Sequence, residues 1–524
     1  MFNTWISRIE EQKISVLHYL VAFAAIGAIR FLLDAYSTGL QSTFNLENLP
    51  HGLLFFGATL LTMAVLLRIL TNESSQKILN IMLAGWLIVW IPPIVDLIGS
   101  GGKGGVILSY IFDAPAELPH RFLQFFGGSL TYEFTLGLRV EVAAAMLLLA
   151  LYTWVKTRSW WKTLLAFLGA YVILFFYAAL PTLAATAATW DWSLTREDVL
   201  DIVYTPRLFF ALDVIDPPRV TGMYLSTFFA VVIPVQLTVL FFLDSAKRAR
   251  AFFANVRGFR FLFQLIAFVA AIILGVRLTG TPFTLGLAEA LILLTSFLIL
   301  LHAWIFSVLL NDLTDLPIDT ISNKRRPLVT GLFSVREFRE LSVLTGALAV
   351  VTAYALGFDF ATLAVVLLSL SYLYSMRPFR LRRFPFVATF LMAASVFIAL
   401  LTVFLLFAPG QAYSAFPRPL AGLILLLFTF VFTVKDLKDR KGDEAAGVLT
   451  LPVLLGDQRG KIATGLLVVA SFLLVPLFLG SWVLFVLSLG FAAIGFLLVY
   501  DRRILERWVF ALYALFMLLT LLIA

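Results

Sequence analysis

The chain has no cysteine, only 4 histidines and few charged side chains among its 524 residues. The lack of cysteine excludes disulfides and thiolate metal centres. Asp, Glu, Lys and Arg make up 13% of the chain, 61% is hydrophobic, and the mean hydropathy is +0.97. A soluble chain of this length needs far more polar surface. The composition therefore predicts an all-α polytopic membrane protein, in which apolar helices cross the bilayer repeatedly.

Apolar runs of about 18 residues or more predict about fifteen transmembrane helices. The first half holds six, at about 15–33, 52–70, 78–98, 132–155, 160–185 and 224–244. The second half holds nine, at about 260–277, 283–310, 340–357, 360–376, 386–408, 419–435, 461–479, 481–499 and 505–523. Five basic residues between the halves are interpreted as a linker: Lys247, Arg248, Arg250, Arg257 and Arg260. This predicts an N-terminal membrane domain over 1–250 and a second domain over 251–524.

The distribution of Lys and Arg predicts the orientation of the chain. If the N-terminus is cytoplasmic, nearly all basic clusters fall in cytoplasmic loops, as the positive-inside rule requires. The net charge of +8 then indicates contact with anionic lipid, and no nucleic-acid partner is expected. We expect an uncleaved first span and a place in the cytoplasmic membrane of a prokaryote.

Two short acidic motifs close apolar segments about 120 residues apart. The first places Asp312, Asp315 and Asp319 at offsets 0, +3 and +7, and the second places aspartates at the same offsets, at 436, 439 and 443. On a helix these offsets share one face, so each motif predicts a ladder of carboxylates at the cytoplasmic end of a span.

The chemistry of the ladders predicts a site for divalent cations. Clustered carboxylates repel one another unless cations neutralise them, and oxygen ligands shared with substrate phosphates suit Mg²⁺. Nearby basic side chains, Lys324, Arg325, Arg326 and Lys438, are candidates for holding phosphate charge. Apolar spans around such a site have room for a long hydrocarbon. The pattern favours activation of a lipid-tailed diphosphate.

Both motifs resemble the signatures of the UbiA-type intramembrane prenyltransferase superfamily. The first reads Asn311-Asp312-x-x-Asp315-x-x-x-Asp319, followed by Asn323-Lys324-Arg325-Arg326-Pro327-Leu328 and Gly331. The second reads Lys435-Asp436-x-x-Asp439-x-x-x-Asp443-x-x-x-Gly447-x-x-Thr450-Leu451-Pro452-x-x-x-Gly456. The resemblance covers about residues 255–524, a nine-helix unit, and leaves the N-terminal half unassigned.

The resemblance implies transfer of an isoprenyl group from a diphosphate donor to a small aromatic or lipid-type acceptor. It implies two Mg²⁺ ions, one held by Asp312, Asp315 and Asp319 with support from Asn311, the other by Asp436, Asp439 and Asp443. Asp312, Asp315, Asp436 and Asp439 are the expected catalytic residues. Lys324, Arg326 and Lys438 are expected to bind the diphosphate.

The loop after the fourth span of this unit departs from the family pattern, in which a basic residue follows a tyrosine at a short spacing. The stretch from Tyr372 to Arg383 holds Tyr374, Arg377 and Arg380 at spacings that do not align. We expect Arg377 and Arg380 near the diphosphate and Tyr372 and Tyr374 near the substrate pocket. The family's Arg-Pro near its first span is missing, and Arg257 and Arg260 are its possible substitutes.

Other functions compete with this interpretation. About fifteen spans in unequal halves also suit a transporter or lipid flippase, although its charges usually lie at the bilayer midplane. A further alternative is a catalytically inactive family member that acts as a binding or assembly protein. The presence of all six aspartates argues against it. A CDP-alcohol phosphotransferase is disfavoured because its Asp-Gly-x-x-Ala-Arg string is absent from the sequence.

The remaining polar residues are interpreted as structural. His18, His51, His120 and His302 lack metal-ligand spacing. Arg139 and Glu141 are interpreted as a buried pair or as residues lining a cavity, with preference for a structural role. The glycine-rich stretch 99–105 lacks the strand–loop–helix context of a phosphate loop and is interpreted as a turn.

Overall fold

The computed structural model describes residues 2–38, 48–99, 110–128, 135–204, 217–256, 258–281, 283, 285–408, 412–445, 447–501 and 506–523. Over these ranges the chain forms helices and no strands, which confirms the all-α prediction. Residues 100–105 of the glycine-rich stretch and Arg257 lie outside the described residues.

Eleven α-helices lie in the described ranges of the N-terminal half. They are α1 Phe2–Glu10, α2 Val16–Thr38, α3 Asn48–Thr71, α4 Ser75–Gly85, α5 Ile91–Gly99, α6 Leu118–Gln124, α7 Leu136–Thr157, α8 Trp160–Ala178, α9 Leu180–Thr189, α10 Arg196–Tyr204 and α11 Pro217–Asn255. Short 3₁₀ turns occupy Trp86–Trp90 and Pro115–Glu117. Together with α4 and α5, the first of these turns completes one membrane-length segment.

The C-terminal half continues with α12 Gly258–Thr279, α13 Leu287–Ser322, α14 Val335–Tyr354, α15 Phe358–Ser375, α16 Val387–Phe404, α17 Arg418–Val431, α18 Thr433–Ala445, α19 Leu451–Leu455, α20 Asp457–Leu479, α21 Trp482–Tyr500 and α22 Glu506–Ile523. Two 3₁₀ turns occupy Leu381–Arg383 and Tyr413–Ala415. A helix lies at the position of each of the nine spans expected here.

Thirteen segments in the described ranges are long and apolar enough to cross a membrane. In α12 the residues with described side chains form the apolar stretch Gln264–Thr279. The expected span at α14 is not among the thirteen, and the start of this helix carries Arg336, Glu337, Arg339 and Glu340. The protein is an integral membrane protein with an extra helical region before the second half.

Helix α11 reverses its course near its end. Ser245 has φ −161° and ψ 100° inside the helix, so the backbone is extended at that residue. The rings of Phe242 and Phe253 stack at 6.0 Å although they are 11 positions apart, whereas a straight helix would separate them by about 16 Å. Lys247, Arg248 and Arg250 of the expected basic linker therefore lie on the returning helical arm, and the domain boundary at this stretch stays a prediction.

The returning arm packs the two halves of the chain together. Phe252 and Val256 share a buried cluster with Leu309 of α13 and Phe338 of α14. Arg248 donates from Nη2 to Glu337 Oε1 at 2.5 Å. These contacts bring the last turn of the N-terminal half against the cytoplasm-facing end expected for α13.

Candidate active site

The first acidic motif forms the last turns of α13, a helix of 36 residues. Its segment up to Leu310 is apolar, and the polar motif follows without a break in the helix. Asp312, Asp315 and Asp319 are all buried. The offsets in the sequence therefore predicted the shared helical face correctly.

Arg326 connects two of these carboxylates. Its Nη1 donates to Asp312 Oδ1 at 2.6 Å and also to Asp319 Oδ2. The chain leaves α13 at Asn323, whose Nδ2 donates to Asp319 Oδ1 at 2.9 Å, and turns so that Arg326 points back at the helix. Arg326 was expected at the diphosphate, and the structure places it on the carboxylates of the first motif.

Arg382 holds the third carboxylate, and the sequence analysis missed it. Its Nη1 donates to Asp315 Oδ2 at 2.6 Å, and Asn311 Nδ2 donates to the same oxygen at 2.9 Å. Arg382 lies in the 3₁₀ turn after α15, next to Arg380 with φ +40°. The sequence of this loop contains several arginines, and their spacing does not indicate which of them points toward the aspartates. The direction of Arg382 follows from the left-handed backbone at Arg380, which only the structure shows.

Arg380 is incompletely paired. Its Nη2 lies 3.9 Å from Asp315 Oδ1, and its buried Nε makes no hydrogen bond within the described ranges. Burial, and then the positive charge of Arg382, lowers the pKa of Arg380. A guanidinium of this kind has capacity left for an anionic ligand.

The second acidic motif lies on α18, which follows α17 after a one-residue break at Phe432. Asp436 and Asp443 are half-buried, and the side chain of Asp439 lies outside the described residues. A Cβ placed on Gly442 would lie 3.8 Å from Ile318 Cγ2, so α18 adjoins the end of α13. The two motifs therefore meet in space.

Arg382 lies between the two motifs. Burial lowers the pKa of Arg382, but Asp315, Tyr374 and Asp443 together outweigh burial and raise it. Arg382 contacts Asp315 of the first motif, and the charge of Asp443 of the second motif acts on its pKa in the same direction.

The end of α18 is fixed by a Schellman motif. Val448 N donates to Asp443 O at 2.8 Å and Gly447 N donates to Glu444 O at 3.2 Å, with Gly447 at φ +67°. Glycine adopts this left-handed conformation without a Cβ penalty. Leu449 N then donates to Arg383 O at 3.0 Å, which ties the second motif to the arginine loop.

Asn255 is a further contact that the sequence analysis missed. Its Nδ2 donates to Asp312 Oδ2 at 2.6 Å. Asn255 ends α11, in the stretch that was interpreted as a linker, so its approach to α13 depends on the reversal at Ser245. Hydrophobic periodicity carries no signal for such a reversal.

The other expected site residues lie around this centre. Lys324, Lys438 and Arg377 are exposed at the rim, as is Tyr372. Tyr374 is half-buried, and its hydroxyl lies 3.3 Å from Lys435 Nζ. The side chain of Arg260 lies outside the described residues.

The donor set suits a hard divalent cation. Asn311, Asp312, Asp315 and Asp319 offer only oxygen as metal-binding atoms, and Asp315 Oδ1 is buried without a hydrogen bond in the described part of the chain. Within that same part no three acidic or histidine side chains converge as a formed metal centre, and Arg326 and Arg382 lie on the carboxylates of the first motif. These residues fit Mg²⁺ if Arg326 and Arg382 release the aspartate oxygens to which they now donate.

Comparison with known proteins agrees with the two motifs. The model of the UbiA prenyltransferase family matches residues 265–522, and no family model matches the N-terminal half. Homogentisate phytyltransferase of Synechocystis is 30% identical over 200 residues, covering 37% of this chain and 64% of its own length. Digeranylgeranylglyceryl phosphate synthase of Sulfolobus acidocaldarius is 32% identical over 203 residues, covering 36% and 67%.

Solved structures resemble the same half. A UbiA homologue from Archaeoglobus fulgidus, bound to DMAPP and Mg²⁺, is 20% identical with a TM-score of 0.38, covering 52% of this chain and 99% of its own. The chain spans about two thirds of the length of the two curated relatives. With its two acidic motifs inside the matched region, the chain belongs to the UbiA prenyltransferase family.

Proposed function

We propose that this protein transfers an isoprenyl group from an isoprenyl diphosphate to an aromatic or lipid-type acceptor within the membrane. Family membership supports the reaction class. The two relatives support the range of acceptors, since one is named for phytyl transfer to homogentisate and the other for synthesis of digeranylgeranylglyceryl phosphate.

The observation that carries the proposal is the meeting of both acidic motifs at the arginine loop. Arg382 of this loop donates to Asp315 at 2.6 Å, and Leu449 N, just after the helix of the second motif, donates to Arg383 O of the same loop at 3.0 Å. The two motifs and the half-buried Arg382 form one charged centre at the edge of an apolar bundle. Charge of this density at the membrane boundary is costly and is generally retained for function.

The proposed roles follow from position. Asn311, Asp312, Asp315 and Asp319 would hold one Mg²⁺, and Asp436, Asp439 and Asp443 the other. Bound Mg²⁺ supplies the positive charge that stabilises diphosphate as it leaves. Arg380, with its unpaired Nε, and Arg326 would bind phosphate oxygens, with Lys324, Lys438 and Arg377 attracting the donor from the rim.

The surrounding side chains would protect the reactive carbon. An allylic cation is consumed by water unless the pocket is dry, and aromatic faces stabilise positive charge. Tyr374 is proposed for this second role, and the nearness of Lys435 Nζ, 5.5 Å from the centre of its ring, supports it by showing that a cation can approach this ring. Tyr372 is more exposed and is proposed only as part of the entrance.

The test is turnover by the purified protein in detergent. Geranylgeranyl diphosphate and Mg²⁺ are supplied with homogentisate or geranylgeranylglyceryl phosphate, and pyrophosphate and prenylated product are both measured. We expect product that disappears with EDTA and falls at least a hundredfold in Asp312→Ala and Asp436→Ala. Glu444→Ala, an exposed acidic residue beside the second motif, is the matched control and should retain activity.

Two outcomes would count against the proposal. Turnover that survives both aspartate variants would show that the acidic motifs are structural. Protein that binds neither diphosphate nor Mg²⁺, while its unfolding transition remains intact, would remove the basis for a transferase.

A further inference from the structure

A cavity of about 160 Å³ lies inside the N-terminal half, among α2, α3, α4, α7 and α8. Its wall is mainly apolar and includes the aromatic side chains Phe55, Phe56, Trp86, Phe125, Tyr171 and Phe175. An engineered apolar cavity of about 150 Å³ is large enough to bind benzene. The space therefore suits a ring-sized apolar body, and all of its lining residues precede the family-matched region.

The wall also contains two charged residues, Arg30 and Glu141. Arg30 is well satisfied, because its Nε donates to Asp34 Oδ2 at 2.6 Å and its Nη1 donates to Val89 O. Glu141 lies 3.7 Å from Arg30 Nη1, beyond hydrogen-bond distance, and its side chain is the more exposed of the two at 15% against 4%. The carboxylate of Glu141 therefore retains acceptor capacity.

Acidic side chains outnumber the basic one in this cluster. Asp34 and Glu141 both face Arg30, and Asp96 Oδ1 accepts from Gly137 N at 2.7 Å on the neighbouring helix. Ionisable groups within membrane spans are expensive and mark functional sites by default. Arg139 donates to the carbonyls of Phe126 and Gly128. Of the two alternatives for Arg139 and Glu141, the structure shows Glu141 lining a cavity.

Trp86 contributes an aromatic face to the wall. It is 8% exposed, it lines the cavity, and its ring stacks on Phe23 at 5.1 Å and meets Phe56 edge-on at 4.8 Å. The cavity thus combines an aromatic wall with an underused acceptor at Glu141.

We propose that the N-terminal half binds an apolar molecule carrying a hydroxyl group, a phenol of ring size, with its ring among the aromatic side chains and its hydroxyl at Glu141. A phenolic hydroxyl donates to a carboxyl oxygen. This acceptor distinguishes a phenol from a hydrocarbon of the same size. The site is separate from the two acidic motifs and does not depend on their function.

The test measures binding of tritiated 4-propylphenol and propylbenzene to the full-length protein in nanodiscs. We expect saturable binding of the phenol at least tenfold tighter than that of the hydrocarbon. Glu141→Gln should reduce this preference to below threefold. Ala145→Phe, which adds a ring inside the cavity wall, should abolish binding of both.

Two controls keep the outcome decisive. Asp315→Asn alters the acidic site and should leave phenol binding unchanged, so a loss there would place the phenol in the other site and overturn the proposal. Photolabelling of the wild-type protein with a diazirine-bearing propylphenol needs no variant, and the label should appear on peptides containing Trp86 or Glu141. Equal binding of phenol and hydrocarbon, or label confined to other peptides, would also overturn it.

Discussion

At the scale of single residues, the acidic site is governed by the arginines that lie on its carboxylates. Arg326 joins Asp312 to Asp319, and Arg382 holds Asp315. Breaking a buried ion pair from one side leaves an uncompensated charge and costs roughly 3–5 kcal/mol. These arginines therefore stabilise the metal-free protein as well as serving the proposed reaction.

Arg326→Ala should lower the thermal unfolding temperature of the metal-free protein, because Asp312 and Asp319 would lose their shared cation. Added Mg²⁺ should restore more stability to this variant than to the wild type, since the Arg326 cation then no longer competes for the two carboxylates. Thermal unfolding in detergent with EDTA or Mg²⁺ measures both effects. Arg325→Ala, the exposed neighbour, should change neither, and identical curves for the two variants would contradict the prediction.

Asn255→Ala should reduce the turnover number about tenfold, because Asn255 donates to Asp312 at 2.6 Å and a hydrogen bond to a charged group contributes about 1.5 kcal/mol or more. The KM for the diphosphate should change little, since Asn255 acts through Asp312. Steady-state kinetics at saturating Mg²⁺ give both constants. Unchanged turnover would show that this contact between the halves is incidental.

At the scale of elements, the placement of the second motif depends on where α18 ends. Gly447 adopts φ +67°, and the chain then runs to Leu449, which bonds the arginine loop at Arg383. The same loop has left-handed backbone at Arg380. Two tight turns therefore bring Asp443 and Arg382 together.

Gly447→Ala should destabilise the protein by about 1 kcal/mol and lower activity, because a Cβ is disfavoured in left-handed backbone. Gly447→Asn should be milder, since asparagine tolerates that conformation better. Gly422→Ala adds the same methyl where it meets open space, and it should be neutral or slightly stabilising. Unfolding curves and turnover rank the three variants, and equal effects at both glycines would refute the role of the turn.

At the scale of the whole molecule, the halves are joined by packed side chains rather than by a loose linker. The returning arm of α11 lies against α13 and α14, and Val16 N donates to Glu340 Oε2 at 2.7 Å. We propose that both acidic motifs face the cytoplasm in a prokaryotic cytoplasmic membrane. The division into domains at about residue 250 remains a proposal.

The absence of cysteine allows a direct test of orientation. Single cysteines at Lys324 and Lys438 should react with a membrane-impermeant maleimide only after the cells are opened. A cysteine at Trp190, which is 86% exposed, should react in intact cells. Labelling of all three positions from the same side would overturn the proposed topology.

Local patterns in the sequence were enough for the helices, for the two acidic faces and for the family. The length of an apolar run and the 0, +3, +7 offsets depend only on neighbouring residues, so they can be read from the sequence. The partners of the aspartates could not be predicted in this way, because Arg382 and Asn255 reach them only through a turn and a helix reversal. The cavity at Glu141 depends on several helices at once, and no single stretch of sequence signals it.

The pairing of acids and arginines also bears on the order in which ligands enter. In the first motif three carboxylates face three guanidinium groups, from Arg326, Arg380 and Arg382, so these side chains together are close to electrical neutrality. If Mg²⁺ bound alone, it would displace the guanidinium groups from the carboxylates and leave them without an anionic partner. If the diphosphate bound alone, it would draw the guanidinium groups away and leave the carboxylates without a cation. Simultaneous binding of Mg²⁺ to the carboxylates and diphosphate to the guanidinium groups avoids both costs, so we expect the donor to enter as its magnesium salt.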